Sequence, residues 1–385
     1  MNIMIVSPAY APYTGVGANR MMSLSVYLIK MGFDVTVLRN APELWPENSR
    51  KSTVPEGVRV VDVYAVGSFE ECKKAYYEKV ESIITTRNID ISIYSCNPYY
   101  TAPVAREMKL IHNAKYIIDF RDLWIKDEAL TRSILRIIKK YLVRLPYHRY
   151  EKECIEAADA VLTVTPKDCQ HLQKQYPKYS DKIQIIFNGY DESRINQSME
   201  ESLKLKEDYI GIFGKFGYYD YKYVVEMLKS VKKLNSNGFP IKIVHIGDCD
   251  RNTIKALEQT NFPEELYINP GFLDYSEGMK ILSKAKLNCL IVHYKRGLGT
   301  KLFDYIYLNK PIVYFAHADS SISQILKTCK TAFCCNNAKD SYSAIETILK
   351  NDMNSLGCQN ISLYSRDIQN QNFCNLMKQI CKNSD

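Results

Sequence analysis

The sequence has no apolar run long enough to span a bilayer, no low-complexity segment and no long basic tail. Its first residues, Met1 to Ser7, also lack the charged start and the long apolar stretch of a signal peptide. These absences argue against a membrane-spanning, a secreted or a nucleic-acid-binding protein. We therefore expect a cytoplasmic protein that binds no nucleic acid.

The twelve cysteines lack the spacing of a structural zinc site, because none of them forms a C-x-x-C pair. A chain of 385 residues is also too large to need a disulfide framework. We expect reduced and mostly buried thiols. The sequence shows no other cluster of metal ligands, so we expect no metal and no cofactor.

Length and composition indicate a globular protein with two domains. At 385 residues the chain is longer than one hydrophobic core usually supports. Its hydrophobic content of 46% and charged content of 24% are those of an ordinary globular protein. The net charge of +8 is spread over both halves, which suits anionic small molecules or an anionic membrane surface.

Short apolar runs alternate with segments of helical periodicity along the whole chain. Strands followed by helices in this way predict parallel, doubly wound sheets. Polar residues 189–208 lack this alternation and are predicted to link two domains. The predicted strands are 3–6, 35–38, 58–63, 91–94, 116–119, 160–164, 183–187, 209–213, 241–246, 266–268, 287–292 and 312–315.

The stretch between predicted strands 287–292 and 312–315 carries the strongest functional signal. A turn containing glycine, 296–299, precedes a helix with Thr300 at the expected N-cap and Lys301 in its first turn. Backbone N–H groups at a helix N-terminus favour anions. On pattern alone, however, an ordinary capped helix of an α/β unit is the simpler interpretation.

Residues 299–305, Gly-Thr-Lys-Leu-Phe-Asp-Tyr, and 309–313, Asn-Lys-Pro-Ile-Val, resemble the donor-nucleotide motif of family-4 retaining glycosyltransferases of the GT-B fold. Other segments resemble the same family in the same order, namely 15–17, 119–124, 188–191 and 214–215. The resemblance implies two Rossmann-like domains that face a cleft. It assigns 1–190 to the acceptor side, 191–365 to the nucleotide sugar, and 366–385 to a helix that crosses back to the first domain.

The resemblance also implies which residues bind the donor. Lys215 and Lys301 are expected to stabilise the departing diphosphate, and Asp304 to accept hydrogen bonds from the ribose hydroxyls. Lys222 is the nearest match to a second lysine of the family, although tyrosines precede it where Lys-Gly is usual. For either Lys215 or Lys222 the alternative is a solvated cation. The remaining expected donor-binding residues are Gly15, Gly17, Gly214, Gly271 and Thr300.

Gly15 and Gly17 follow the first predicted strand and precede a helix. In the family, a glycine loop at this place passes close to the donor phosphates and the acceptor, and its backbone N–H groups are the expected contacts. The spacing is not that of a G-x-G-x-x-G dinucleotide fingerprint. A helix-entry turn that needs glycine only for its backbone is an equally good interpretation.

Three charged residues and a tryptophan lie where predicted strand 116–119 ends, and ligands usually bind at such carboxyl ends. The resemblance places this segment at the cleft, so we expect Asp122 to be catalytic and Asp119, Arg121 and Trp124 to lie on the acceptor side. The alternative is an Asp–Arg ion pair that only fixes a loop.

One position departs from the family. Its fuller motif has an acid eight residues before the second acid, and an ungapped alignment puts Arg296 there. The donor sugar therefore cannot be inferred. The resemblance implies transfer to a glycan or lipid-linked acceptor in cell-surface polysaccharide synthesis. The alternatives are a nucleotide-sugar epimerase of the same fold and a catalytically inactive partner protein. His245 and His293 receive no role.

Residues 130–150 predict a basic amphipathic helix. They contain six cations and no acid, and an apolar stripe recurs at helical spacing. Such a helix can lie on anionic lipid, which would place the protein peripherally on the inner face of the membrane. The alternative is that the apolar stripe packs on the sheet.

Overall fold

The computed structural model describes residues 1–124, 148–196, 207–292 and 297–382. It divides the chain into two compact units. Unit 1 comprises Met1–Asn188 and Asp367–Asp385, and unit 2 comprises Gly189–Arg366. The predicted basic helix, apart from residues 148–150, lies outside the described residues, as do His293 and Arg296.

Unit 1 contains a sheet of seven strands, β1 (Asn2–Val6), β2 (Asp34–Asn40), β3 (Arg59–Val63), β4 (Ile91–Cys96), β5 (Tyr116–Phe120), β6 (Ala160–Thr163) and β7 (Ile183–Ile185). Their order in the sheet is β3-β2-β1-β4-β5-β6-β7, and every neighbouring pair is parallel. Every residue of β4 and β5 is buried, so these strands form the apolar runs that parallel sheets require.

Helices cover both faces of this sheet, and they are α1 (Val16–Lys30), α2 (Phe69–Thr86), α3 (Thr101–His112), α4 (residues 148–157) and α5 (Pro166–Gln175). One core lies between the sheet and α2 and α3, where Tyr76 and Met108 are buried. A second core lies on the opposite face, under α1, where Met21 and Leu28 are buried.

Unit 2 contains six strands, β8 (Tyr209–Phe213), β9 (Lys242–Ile246), β10 (Tyr267–Gly271), β11 (Leu287–Ile291), β12 (Ile312–Phe315) and β13 (Ala332–Cys335). They are all parallel in the order β10-β9-β8-β11-β12-β13. The accompanying helices are α6 (Glu192–Asn196), α7 (Tyr221–Ser236), α8 (Arg251–Thr260), α9 (Tyr275–Lys284), α10 (Lys301–Leu308), α11 (Ser321–Leu326) and α12 (Ala338–Lys350). The predicted pair of doubly wound parallel-sheet domains is thus confirmed.

The last helix, α13 (Arg366–Lys382), packs on the sheet of unit 1. Phe373 and Met377 are buried in the same core as Ile5 of β1. Ile380 and Cys381 are partly buried against that core.

Strand order reverses between β1 and β4 in unit 1 and between β8 and β11 in unit 2. Crevices at the carboxyl ends of such central strands are the usual ligand sites of open parallel sheets. The loops that follow these four strands therefore lie where ligands bind in sheets of this kind.

Candidate functional site

Helix α10 of unit 2 begins at Lys301, after a turn in which Gly299 adopts a positive φ of 59°. Thr300 occupies the N-cap position, as predicted, but its side chain makes no cap hydrogen bond. The helix is anchored one turn later, because the hydroxyl of Tyr305 accepts a hydrogen bond from the backbone N–H of Phe213 at 3.0 Å. Lys301 lies one turn before Tyr305 and therefore shares this face, towards the end of β8.

The ammonium group of Lys301 lies against Gly214, which directly follows β8. A Cβ on Gly214 would come within 2.6 Å of the Lys301 Nζ atom, and Gly214 has a positive φ of 75°. Glycine is therefore required at position 214 both for the backbone conformation and for the close approach of the lysine.

The pKa of Lys301 is lowered from 10.5 to about 8. Burial is the largest cause and the positive charge of Lys215 the second, while Asp304 acts in the opposite direction. Two cations are thus held near one another at the start of α10. Such an arrangement favours an anionic ligand, because the anion relieves the repulsion between them.

The two predicted lysines of the β8 loop and α7 lie in different surroundings. Lys215 is exposed, and its Nζ atom lies 3.7 Å from the ring centroid of Tyr218. Lys222 stands in the first turn of α7. Burial raises the pKa of Glu226, but hydrogen bonds from Ala338 and Lys229, with the charges of Lys229 and Lys222, lower it overall. The structure therefore groups Lys215 with Lys301, and it places Lys222 with Glu226.

His245, which received no role from the sequence, fixes the carbonyl group of Gly214. Its Nε2 atom lies 2.6 Å from that oxygen, and its Nδ1 atom lies 2.6 Å from the hydroxyl of Tyr267. Since a carbonyl only accepts, Nε2 carries the proton. Burial lowers the pKa of His245, and the charge of Lys301 lowers it further. A buried neutral histidine thus holds the glycine that borders Lys301.

Asp304 lies on α10, one turn after Lys301, and is buried. The Tyr275 hydroxyl donates to its Oδ1 atom at 2.9 Å. Burial raises the pKa of Asp304 to about 6, while the Tyr275 hydrogen bond and the charges of Arg366 and Arg194 lower it. The Arg194 guanidinium carbon lies 4.4 Å from the ring centroid of Tyr275.

Arg366 is positioned by the segments that begin and end unit 2. Its backbone N–H donates to the carbonyl of Tyr190 at 2.8 Å. The backbone N–H of Tyr190 in turn donates to the carbonyl of Tyr364 at 2.9 Å. Its side chain forms an ion pair with Asp191, with an N–O distance of 3.1 Å. Arg366 and Arg194 lie in no predicted motif, whereas Asp304 and Asp191 belong to the predicted motifs 299–305 and 188–191.

Gly271, the last residue of β10, has a positive φ of 79° and open space around its Cα. Its carbonyl accepts a hydrogen bond from Gly247 at 2.8 Å. The following residue, Phe272, is 78% exposed. This corner of unit 2 therefore presents an aromatic ring to solvent beside a glycine turn.

In unit 1, the glycine loop and the Asp-x-Arg-Asp segment meet. A Cβ on Gly17 would overlap the guanidinium group of Arg121, which also donates a hydrogen bond to the carbonyl of Asn97. Gly15 is extended, and a Cβ there would press on the Tyr13 ring at 2.7 Å. The structure therefore joins Gly17 to Arg121, two predicted site residues from distant parts of the sequence.

Asp119 is fully buried and pairs with Arg20, not with Arg121. Arg20 donates to both carboxylate oxygens, at 2.9 and 3.0 Å, and to the carbonyl of Phe187 at 2.8 Å. The ion-pair interpretation thus describes Asp119, with a different arginine as partner. This pair ties α1 to β5, and Asp119 is not exposed to any ligand in this conformation.

Asp122 and Trp124 lie beyond the end of β5. The Asp122 Oδ2 atom accepts a hydrogen bond from the side chain of Asn97 at 3.0 Å. The indole of Trp124 stacks on Tyr99, with ring centroids 5.5 Å apart and planes 5° from parallel. Asn97 therefore links Asp122 to Arg121, whereas Trp124 belongs to an aromatic stack that also includes Phe69.

The described part of the chain contains no group of three or more His, Cys, Asp or Glu side chains arranged to bind a metal ion. Across those same four ranges, no helix has the length and apolar character needed to cross a membrane. All twelve cysteines are free thiols, and eight of them are buried.

Comparisons with known proteins agree with this architecture. Residues 17–194 match the family described as "Glycosyltransferase Family 4". That range includes Gly17, the segment 119–124 and the segment 188–191, so the resemblance is confirmed there. The comparison with curated proteins gives no match.

Solved structures share the fold over nearly the whole chain. A glycosyltransferase from Rickettsia africae ESF-5 covers 99% of this chain and 99% of its own, with 14% identity and a TM-score of 0.72. A UDP-GlcNAc 2-epimerase from Methanocaldococcus jannaschii covers 98% of this chain and 100% of its own, with 11% identity and a TM-score of 0.63. An Anabaena protein in complex with UDP and glucose covers 100% of this chain and 99% of its own, with 14% identity and a TM-score of 0.57.

At such low identities these structures establish the fold and not the activity. Their agreement with two parallel-sheet units, together with the family match over residues 17–194, meets the expectation drawn from the sequence motifs. The chain therefore has the GT-B fold, and its residues 17–194 match Glycosyltransferase Family 4.

Proposed function

We propose that the chain is a glycosyltransferase that moves a sugar from a nucleotide-sugar donor to a glycan or lipid-linked acceptor. The observation that carries the proposal is the cation site of unit 2, where Lys301 lies beside Gly214 and the charge of Lys215 lowers its pKa. Two cations at a helix N-terminus suit the diphosphate of such a donor. The family match and the GT-B fold support the same activity.

The transfer requires stabilisation of a departing nucleoside diphosphate, whose negative charge grows as the sugar leaves. Lys301 and Lys215 supply positive charge, and the first N–H groups of α10 supply hydrogen-bond donors. With a pKa of about 8, Lys301 is mostly protonated at neutral pH. As the resemblance implies, we assign the positive charge that stabilises the diphosphate to these side chains and not to a metal ion. From the same resemblance we infer transfer with retention at the anomeric carbon.

Asp304 is our candidate for binding the donor ribose. Since its pKa is about 6, it is mostly ionised at neutral pH and accepts hydrogen bonds from hydroxyl groups. The hydrogen bond from Tyr275 fixes the orientation of its carboxylate. Gly214 and Gly271 allow backbone to approach the ligand closely, because neither carries a side chain.

In unit 1 we assign Asp122 a role in turnover, and Gly17 and Arg121 the support of that residue through Asn97. Asp119 and Trp124 stabilise the segment 119–124, Asp119 by its ion pair with Arg20 and Trp124 by its stack on Tyr99. These are positioning roles. The sequence placed both residues on the acceptor side, and we assign them this supporting role there.

We further propose that the protein works in cell-surface polysaccharide synthesis at the inner face of the membrane. The six cations of residues 130–150 support this location, each contributing about 1 kcal/mol near anionic lipid. A lipid-linked acceptor would then be presented at the same surface.

A nucleotide-sugar epimerase is the second candidate. The observation in its favour is the fold shared with a UDP-GlcNAc 2-epimerase over 98% of this chain. Both enzymes require a diphosphate site, so the cation site of unit 2 does not distinguish them.

The test is incubation with a panel of nucleotide sugars, with and without glycan and lipid-linked acceptors. A transferase releases nucleoside diphosphate faster when the correct acceptor is present. An epimerase converts the sugar without requiring any acceptor, and an inactive partner protein does neither. Lys301→Ala should abolish release, while Lys284→Ala, a change of an exposed lysine in α9, should not alter it.

A further inference from the structure

Two cysteines of unit 2 lie directly opposite each other. Cys329, which follows α11, and Cys358, which precedes the C-terminal segment of the unit, form an isolated antiparallel bridge. The N–H of Lys330 donates to the carbonyl of Gly357 at 3.3 Å. Because this hydrogen bond joins the residues next to the two cysteines, Cys329 and Cys358 form a non-hydrogen-bonded pair.

A pair of this type has the geometry of a disulfide. The Cα atoms of a non-hydrogen-bonded antiparallel pair are about 4.5 Å apart, and their side chains point to the same face. Disulfides span Cα separations of about 4.4–6.8 Å. Cys329 and Cys358 therefore need no rearrangement of the backbone to form a bond.

The chemistry of the two thiols is also suitable. Cys358 is partly exposed and Cys329 is buried. A hydrogen bond from the Cys329 thiol lowers the pKa of Cys358 to about 7, so a large part of Cys358 is thiolate near neutral pH. The exposed member of the pair is thus the nucleophile, and the buried member lies within its reach.

We propose that Cys329 and Cys358 form a reversible disulfide by exchange with a low-molecular-weight disulfide such as glutathione disulfide. The Cys358 thiolate attacks one sulfur of glutathione disulfide and releases one glutathione thiolate, which takes up a proton. The Cys329 thiol then loses its proton and attacks the Cys358 sulfur of the mixed disulfide, which releases the second glutathione thiolate. The two protein thiols are oxidised, and glutathione disulfide is reduced to two glutathione molecules.

The bond would fix the start of a segment that runs to the proposed donor site. Along it, the ring of Tyr364 packs on Phe303 of α10 with centroids 5.7 Å apart, and Arg366 lies beside Asp304. Oxidation should therefore raise the midpoint of thermal unfolding, because the crosslink restricts the unfolded chain. The proposal concerns only this pair and stands apart from the catalytic activity.

The experiment exposes the full-length reduced protein to excess glutathione disulfide in mildly alkaline buffer, alkylates the remaining thiols and maps the peptides by mass spectrometry. We expect a peptide that links Cys329 to Cys358, reversed by dithiothreitol. Cys358→Ser should abolish the linked peptide, and Cys329→Ser should leave glutathione attached to Cys358. The partly exposed Cys249 and Cys381 provide matched controls, since Cys249→Ser and Cys381→Ser should still form the link.

Absence of the Cys329–Cys358 peptide in the wild type would overturn the proposal, whether or not other cysteines react. A linked peptide that joins Cys358 to any other cysteine would overturn it as well. Circular dichroism of each reduced variant establishes that the fold is retained before oxidation.

Discussion

Replacement of Lys301 by methionine should stabilise the ligand-free protein while it removes the anion site. The pKa of Lys301 is lowered from 10.5 to about 8. At about 1.4 kcal/mol per pKa unit, the charge on Lys301 costs the free protein about 3 kcal/mol near neutral pH. Methionine keeps most of the length of the side chain without its charge, so Lys301→Met should recover much of this free energy.

The effect has a definite dependence on pH. Because the folded pKa of Lys301 is below the unfolded value of 10.5, the unfolded chain binds more protons between about pH 8 and pH 10.5. The contribution of Lys301 to the free energy of unfolding therefore rises with pH across this window. Lys301→Met lacks that rise, so its advantage over the wild type should be greatest near neutral pH and should vanish at the upper end of the window.

Two optical signals distinguish stabilisation of unit 2 from a change in the stability of the whole chain. Both tryptophans, Trp45 and Trp124, lie in unit 1, so tryptophan fluorescence reports unfolding of unit 1. Circular dichroism reports both units. During unfolding in urea, Lys301→Met should shift the transition of unit 2, which circular dichroism detects and tryptophan fluorescence does not. Lys284→Met should shift neither the dichroism nor the fluorescence transition. A Lys301→Met protein that is less stable than the wild type near neutral pH would refute the reasoning.

Three further predictions concern other parts of the two units. Gly17→Ala should destabilise unit 1 because its methyl group displaces Arg121, and addition of Arg121→Ala should restore part of the loss, as a double-mutant cycle of urea transitions would measure; strictly additive effects would contradict the contact. Asp122→Asn should lower turnover more than donor affinity, and steady-state kinetics that show the reverse would assign this residue to the donor. Charge reversal in the predicted basic helix, by Arg136→Glu, Lys139→Glu and Lys140→Glu, should reduce co-sedimentation with anionic liposomes. Wild-type protein that does not co-sediment with such liposomes at low salt would exclude a membrane role.

Much of the fold follows from local sequence because buried parallel strands are continuous apolar runs. The predicted strand 287–292 differs from β11 (Leu287–Ile291) by one residue, and the predicted strand 312–315 coincides with β12. Strand β13 (Ala332–Cys335) escaped prediction. It lies at the edge of its sheet, where three of its four side chains are only partly buried, so its sequence carries a weaker apolar signal.

The site was less predictable, because its contacts join distant parts of the chain. The glycine turn before Lys301 suggested a helix N-terminus suited to anions, although on pattern alone an ordinary capped helix was the simpler interpretation. Neither the close approach of Arg121 to Gly17 nor the pairing of Asp119 with Arg20 has a local sequence signal, since each depends on the order of strands in the sheet. The same is true of Arg366, which reaches Asp304 only because the two ends of unit 2 pair with each other.

Calorimetric titration with nucleoside diphosphates tests the central claim most directly, because it measures the cation site without requiring the acceptor. We expect the wild type to bind at least one nucleoside diphosphate. A charged hydrogen bond contributes about 1.5–3 kcal/mol, so Lys301→Ala should weaken that binding by about ten- to a hundredfold. Lys284→Ala should bind like the wild type. Equal affinity of the wild type and Lys301→Ala for every nucleoside diphosphate would contradict the assignment of the start of α10 as the donor site.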